Sequence, residues 1–146
     1  MDYEKNPETS KIAEDLLNEM KELSDKIIVK FIKSDLDRVL EERNLKIDIY
    51  GNRKGPIILF TKYPNIVWYG LPAGEEFPVF LEQIIHISKG EVHLSLEAAK
   101  IIHNIKDPLD IVIFVTPTCP YCPIATHSSS MFSMINKGIR TIIIEA

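Results

Sequence analysis

Beyond Cys119 and Cys122 the 146-residue sequence has no cysteine. A zinc site built on that pair needs a second Cys or Cys/His pair. The four histidines, His86, His93, His103 and His127, are scattered rather than paired at ligand spacing. No lysine- or arginine-rich run and no interleaved aromatic stripe occurs, and the formal charge is −4, which argues against nucleic acid as a partner. No apolar run approaches a membrane span, and the first ten residues lack the apolar core of a signal peptide. The expectation is a soluble, cytosolic protein with no membrane partner. From Ile111 to Asn136 there is not one Asp, Glu, Lys or Arg, in a chain that is 26% charged. A central strand and a buried helix would account for that stretch, and so would an uncharged surface on which protein partners dock.

What is present suits one ordinary domain or two small ones, since 45% hydrophobic content is enough for a packed core. The most informative stretch is Ile111-Val112-Ile113-Phe114-Val115-Thr116-Pro117-Thr118-Cys119-Pro120-Tyr121-Cys122-Pro123. Its five leading apolar residues, four of them β-branched, suit a strand covered on both faces, and Pro117 and Pro120 stop that strand. Pro123 fits the first turn of a helix, which puts Cys119 at or just before the helix N-terminus and Cys122 within its first turn. The orphan N–H groups and positive dipole end there favour a thiolate, the species that attacks disulfides. Cys119 is thus the candidate nucleophile and Cys122 the candidate resolving cysteine. Half a zinc site has the same spacing, so metal binding and a purely structural pair remain open. In the cytosol such a pair is more often catalytic or metal-binding than a staple.

The rest of the chain alternates helix and strand signals. Ser10 is positioned to cap a helix over 11–23 with Ile12, Leu16, Leu17, Met20 and Leu23 inward. Residues 27–32 read as a strand, and Asp35 or Ser34 caps a helix to Arg43 with Leu36, Val39 and Leu40 inward. Residues 45–50 suit a short strand, and 51–55 a turn. Residues 56–61 and 65–70 form an expected β-hairpin about Lys62-Tyr63-Pro64. A helix over 75–88 is expected to bury Phe77, Phe80, Leu81, Ile84 and Ile85, with Lys89-Gly90 ending it. Ser95 caps a short helix to Asn104. The helix after Cys122 runs to Asn136 although Ser128-Ser129-Ser130 lowers its propensity, and 140–145 is a last strand.

The segment Phe114-Val115-Thr116-Pro117-Thr118-Cys119-Pro120-Tyr121-Cys122-Pro123 closely resembles the second active-site segment of the glutaredoxin-like protein disulfide oxidoreductases of thermophilic archaea and bacteria. Tyr69-Gly70-Leu71-Pro72-Ala73-Gly74-Glu75-Glu76-Phe77 and Ser88-Lys89-Gly90-Glu91 look like that family's bridge between two thioredoxin-fold units. The N-terminal portion of the alkyl hydroperoxide reductase flavoprotein is similar in plan. The resemblance spans residues 10–146. It implies an α/β, thioredoxin-like fold of incomplete tandem or composite units, with a mixed sheet flanked by helices. The division is a cysteine-free partial unit over 1–90 and a partial unit over 91–146 carrying the cysteines. It further implies a thiol–disulfide oxidoreductase without a bound cofactor, acting on protein disulfides, with a thioredoxin-reductase-like flavoprotein as electron donor. Cys119 matches the attacking cysteine and Cys122 the resolving one. Gly55-Pro56 looks like a cis-proline segment, which makes Pro56, with Pro120 and Tyr121, a candidate substrate contact; a trans proline at a strand's first residue is the plain alternative.

Against that family, the first unit lacks its initial strand and the second shows only strand, helix, strand. The strand at 110–116 is therefore expected beside 56–61, within one chain or a swapped homodimer, with Pro56 facing Cys119. The rival arrangement places two partial units side by side, with edges covered by a partner. Two further functional readings stand beside catalysis: a non-catalytic assembly module, and a metal or iron–sulfur site shared by two chains. Trp68 is expected in the core, and His127 on a helix surface. Asp25 and Glu76 receive no proton-transfer role.

Overall fold

The computed structural model describes residues 7–33, 35–44 and 56–146, with only the backbone of Leu36 and Asp37. They fall into two compact units, one of residues up to 57 with 69–71, the other of 58–68 with 72–146. In the first, helix α1 spans Pro7–Leu23 and α2 Leu36–Glu42. Helix α1 begins earlier than expected, because Pro7 serves as its first residue, where a missing N–H is harmless. Ser10 is therefore not its cap but a fully buried residue within it. The buried stripe is Ser10, Ala13 and Met20, while Ile12 and Leu23 face solvent. Asp35 does precede α2, but its φ of 54° turns the backbone left-handed and its side chain closes no cap. Leu40 is fully buried and Asn44, at φ 53°, ends the helix as asparagine often does.

The expected strand over 27–32 is absent among the described residues, and Ile28 is 91% exposed. The strand expected at 45–50, the turn at 51–55 and the Gly55–Pro56 bond lie outside the described residues.

The second unit is built on a four-stranded sheet of order β1-β2-β4-β3. Strands β1 (Ile57–Leu59) and β2 (Ile66–Tyr69) form the expected hairpin, closed at its base by the Gly70 N–H donating to the Pro56 carbonyl at 2.8 Å. Between them and the last strands come α3 (Glu76–Lys89) and α4 (Leu96–His103). Strand β3 (Leu109–Val115), helix α5 (Cys122–Ile135) and strand β4 (Ile139–Glu145) then make a β-α-β unit, with β3 and β4 parallel in the register Leu109↔Ile139 to Val115↔Glu145. Helix α5 packs on both strands and against α3 and α4.

Strand β4 is the central one. Ile139, Thr141, Ile142 and Ile143 are buried, as expected of a strand covered on both faces. The sequence reading assigned that place to β3, whose apolar run is equally continuous, but β3 is at the sheet's edge and only Val115 is buried. An apolar run identifies a strand without saying which of its sides has a neighbour. The composite pairing of β3 beside β1 is likewise overturned within the chain: β2 and β4 lie between them, which separates β1 from β3 by about 14 Å at a sheet spacing near 4.8 Å.

Buried polar groups lock α5 in place. Trp68 Nε1 donates to Gln83 Oε1 at 2.8 Å, Gln83 Nε2 to Ser130 Oγ at 2.6 Å, and Ser130 Oγ to the Thr126 carbonyl at 2.7 Å. Trp68 also meets Phe80 edge-on at 5.7 Å. On the sheet side, Thr141 Oγ1 donates to the Ser129 carbonyl and lies 2.7 Å from Ser133 Oγ. The serines that weaken α5 as an isolated helix are the small polar residues that let it sit close to its neighbours. Asn65 ties the hairpin to both α5 and β4 through the carbonyls of Ser133 and Ile139.

The buried face of α3 is Glu76, Val79, Phe80, Gln83 and Ile87, rotated from the expected one, and Ile85 is half-exposed. Two polar residues on the inner face hid it from an apolar pattern. Helix α4 matches expectation, with Ser95 Oγ accepting from the Ala98 N–H, but Leu96 and Ile101 remain exposed.

Candidate redox site

Strand β3 ends at Val115, and the loop that follows carries Cys119 to the threshold of α5, of which Cys122 is the first residue. The loop is pinned from α3. The Glu75 N–H donates to the Pro117 carbonyl at 3.0 Å, and Gly74 lies so close that a Cβ there would land on the Pro117 carbonyl oxygen. Gly74 also has a φ of +58°, so both its sign and its contact demand glycine. The bridge segment singled out in the sequence thus supports the cysteine loop directly.

Cys119 and Cys122 form a disulfide with Cα atoms 5.5 Å apart. The Cys122 N–H points at Cys119 Sγ at 3.2 Å. It is one of the donors that a helix leaves without an intrahelical partner, and it is aimed at the sulfur expected to carry negative charge. Cys122 Sγ lies 3.9 Å from the Phe114 carbonyl, which can accept from its S–H in the dithiol state. The pair thus has a helix-start N–H at one sulfur and a carbonyl oxygen near the other. Around the pair, Thr116, Pro117, Thr118, Pro120, Tyr121 and Ile124 are exposed and uncharged, whereas Thr126, Ser129, Ser130, Met131 and Ser133 are buried. Burial thus accounts for the charge-free course of α5, but not for that of β3, which is an edge strand, nor for the exposed residues around the cysteines.

Two groups were undervalued in the sequence. Glu76 is 1% exposed, and burial raises its pKa above the usual carboxylate value, with Thr126 on α5 partly opposing the shift. Neither Glu76 oxygen nor Thr126 Oγ1 completes a hydrogen bond among the described residues. The histidines, scattered in sequence, are not scattered in space: His86 packs edge-on against His93 at 4.5 Å and His127 at 5.4 Å between ring centroids. Helix α3 supplies His86, the turn after it His93, and α5 His127. Burial first, and then the two neighbouring imidazoles, push the His86 pKa below its ordinary value. Linear spacing carries no signal for contacts made by two helices packing.

A parallel strand, a turn and a helix opening on a close cysteine pair, set in a mixed sheet flanked by helices, define a thioredoxin-like fold with a thiol–disulfide site. No family model and no curated protein matches the sequence. Solved structures do match the fold. The chain is similar to the N-terminal domain of alkylhydroperoxide reductase AhpF from Enterococcus faecalis, at TM-score 0.76 and 23% identity, over 94% of this chain and 65% of that one. It is also similar to a protein disulfide oxidoreductase from Aeropyrum pernix, at TM-score 0.67 and 25% identity, over 91% and 60%, and to Sso1120 from Sulfolobus solfataricus, at TM-score 0.57 and 23% identity, over 77% and 69%. The chain spans less than two thirds of the length of the first two.

Proposed function

We propose that the protein is a thiol–disulfide oxidoreductase that acts on protein disulfides through Cys119-Pro120-Tyr121-Cys122. The observation that carries this reading is the Cys122 N–H directed at Cys119 Sγ at the mouth of α5, inside an exposed, uncharged rim. In the reducing direction the Cys119 thiolate attacks one sulfur of the substrate disulfide, forming a mixed disulfide and releasing the other as a thiolate. The Cys122 thiol then loses its proton and attacks Cys119 Sγ, which releases the second substrate thiolate and leaves Cys119–Cys122 oxidised. Two electrons have passed to the substrate, and a thioredoxin-reductase-like flavoprotein would return them. Tyr121, 78% exposed, and Pro120 are the proposed substrate contacts. In this reading residues 1–90 are a cysteine-free partial unit and 91–146 the partial unit that works, in the cytosol.

The exposed, uncharged residues around the cysteine pair also suit a second reading, an assembly module. Pairing between β3 of one copy and β1 of another would restore Pro56 opposite Cys119, so a homodimer belongs to either reading. Insulin reduction with dithiothreitol separates the two. Turnover that vanishes in Cys119→Ala supports catalysis, turnover retained in that variant refutes the assigned nucleophile, and no turnover by the wild-type protein despite a formed disulfide favours assembly.

A further inference from the structure

The histidine cluster lies outside the disulfide and is not used by the redox reading. Glu82 and His86 are four residues apart on α3, the spacing that stacks two side chains on one helix face. His127 on α5 meets them where the helices pack. One ligand atom from each of Glu82, His86 and His127 lies within 4.8 Å of the others, and the same holds for His86, Glu91 and His93. His86 Nδ1 is buried with no hydrogen-bond partner among the described residues, although an imidazole nitrogen at depth ordinarily has one. The second triad is held by the end of α3: Gly90, left-handed at φ 70°, turns the chain so that its own N–H and that of Glu91 both donate to the His86 carbonyl, at 2.7 and 3.1 Å. Glu91 and His93 are thereby folded back beside His86.

We propose that Glu82, His86 and His127 form a binding site for a divalent transition-metal ion of the zinc class, with Glu91 and His93 flanking the shared imidazole. Two imidazoles and a carboxylate are a donor set that such ions take up, and harder ions such as magnesium do not favour nitrogen ligands. Ligand atoms around a tetrahedral zinc lie about 3.3 Å apart, as bond lengths near 2.0–2.1 Å require, so the triad closes on an ion by small side-chain rotations. Three protein ligands leave a fourth position for water or a partner's side chain. The site bridges α3 and α5, and His127 is five residues beyond Cys122, about 7.5 Å along the helix. A bound ion would therefore brace the helix that opens on the disulfide, whichever functional reading holds.

The test uses the full-length, untagged protein with its disulfide formed, so that no thiolate competes for metal. Titration calorimetry with Zn2+ should give a saturable event near one equivalent, and Co2+ should show visible d–d bands without sulfur charge transfer. The thermal midpoint should rise with Zn2+ and return with a chelator. Glu82→Gln and His127→Gln should each weaken Zn2+ about tenfold or more, whereas His103→Ala should bind as the wild type does. His86→Ala should abolish binding, and because its loss of packing can unfold the protein, the two milder variants decide the matter if it does. Absence of binding to the oxidised protein overturns the proposal, as does binding unchanged in both Glu82→Gln and His127→Gln. The three rings would then be edge-to-face packing only.

Discussion

Glu76 gives the sharpest test of the packing, because its sign can be worked out in advance. The carboxyl, on the first residue of α3, is buried, and burial outweighs the opposing influence of Thr126, so the folded protein prefers it protonated and its pKa is raised from 4.5. The unfolded chain releases that proton near 4.5, while the folded chain keeps it to a higher pH. Between those two values the native state binds more protons than the unfolded state, and stability falls by up to about 1.4 kcal/mol per pH unit as pH rises. Above the folded pKa the loss is complete and the curve is flat again. Glu76→Gln keeps the shape, carries no charge and removes this term, so it should match the wild type at pH 4 and be the more stable protein at pH 7. Urea unfolding followed through Trp68, the one tryptophan of the chain, measures both proteins across that range. The difference between the two curves isolates Glu76, because His86 titrates in both, its lowered pKa making stability fall as pH drops below 6.5. A difference that does not change between pH 4 and 7 would refute the burial argument.

Two other substitutions probe the supports of the cysteine loop. Gly74→Ala forces an alanine to φ +58° with its methyl against Pro117, and should lose roughly 2–4 kcal/mol in urea unfolding; a loss below about 0.5 kcal/mol would mean that α3 and the cysteine loop are not joined as described. Gln83→Leu leaves the Trp68 indole N–H without its buried partner, at about 1–3 kcal/mol, while the Ser130 hydroxyl keeps its bond to the Thr126 carbonyl, and should change Trp68 emission in the native state; an unchanged spectrum would argue against the relay.

The order of helices and strands in the second unit followed from the sequence because its signals are local: Ser95 at a cap, Gly90 past a helix end, Pro123 in a first turn, β-branched runs at 111–115 and 139–144. The cysteines were found for the same reason, since a site built within four residues at a helix start is written in one place. Strand order was not accessible in that way. β3 and β4 are equally apolar, and only pairing with β2 makes β4 central. Nor was the inner face of α3, because Glu76 and Gln83 are polar and only the packing of α3 in the fold buries them, with Gln83 held by partners on α5 and β2. The histidine cluster draws its members from α3, the turn after it and α5, and no spacing rule joins them. The segment 27–32 has a sound strand pattern, but a strand is defined by its pairing, which no local pattern reports.

The charge-free course of α5 implies an uneven tolerance to change along a single helix. At Ser129, Ser130 and Ser133 the limit is volume, because each is enclosed and hydrogen-bonded between sheet and neighbouring helix, so even an uncharged replacement larger than serine should unseat the helix. At Tyr121 and Ile124, both well exposed, a lysine or glutamate fits without disturbing anything beneath it, and under the proposed function what it alters is which protein surfaces can approach the cysteines. Variation in the first turn would then retune partner choice while the fold stays fixed, and variation two turns later would be read only as loss of the fold.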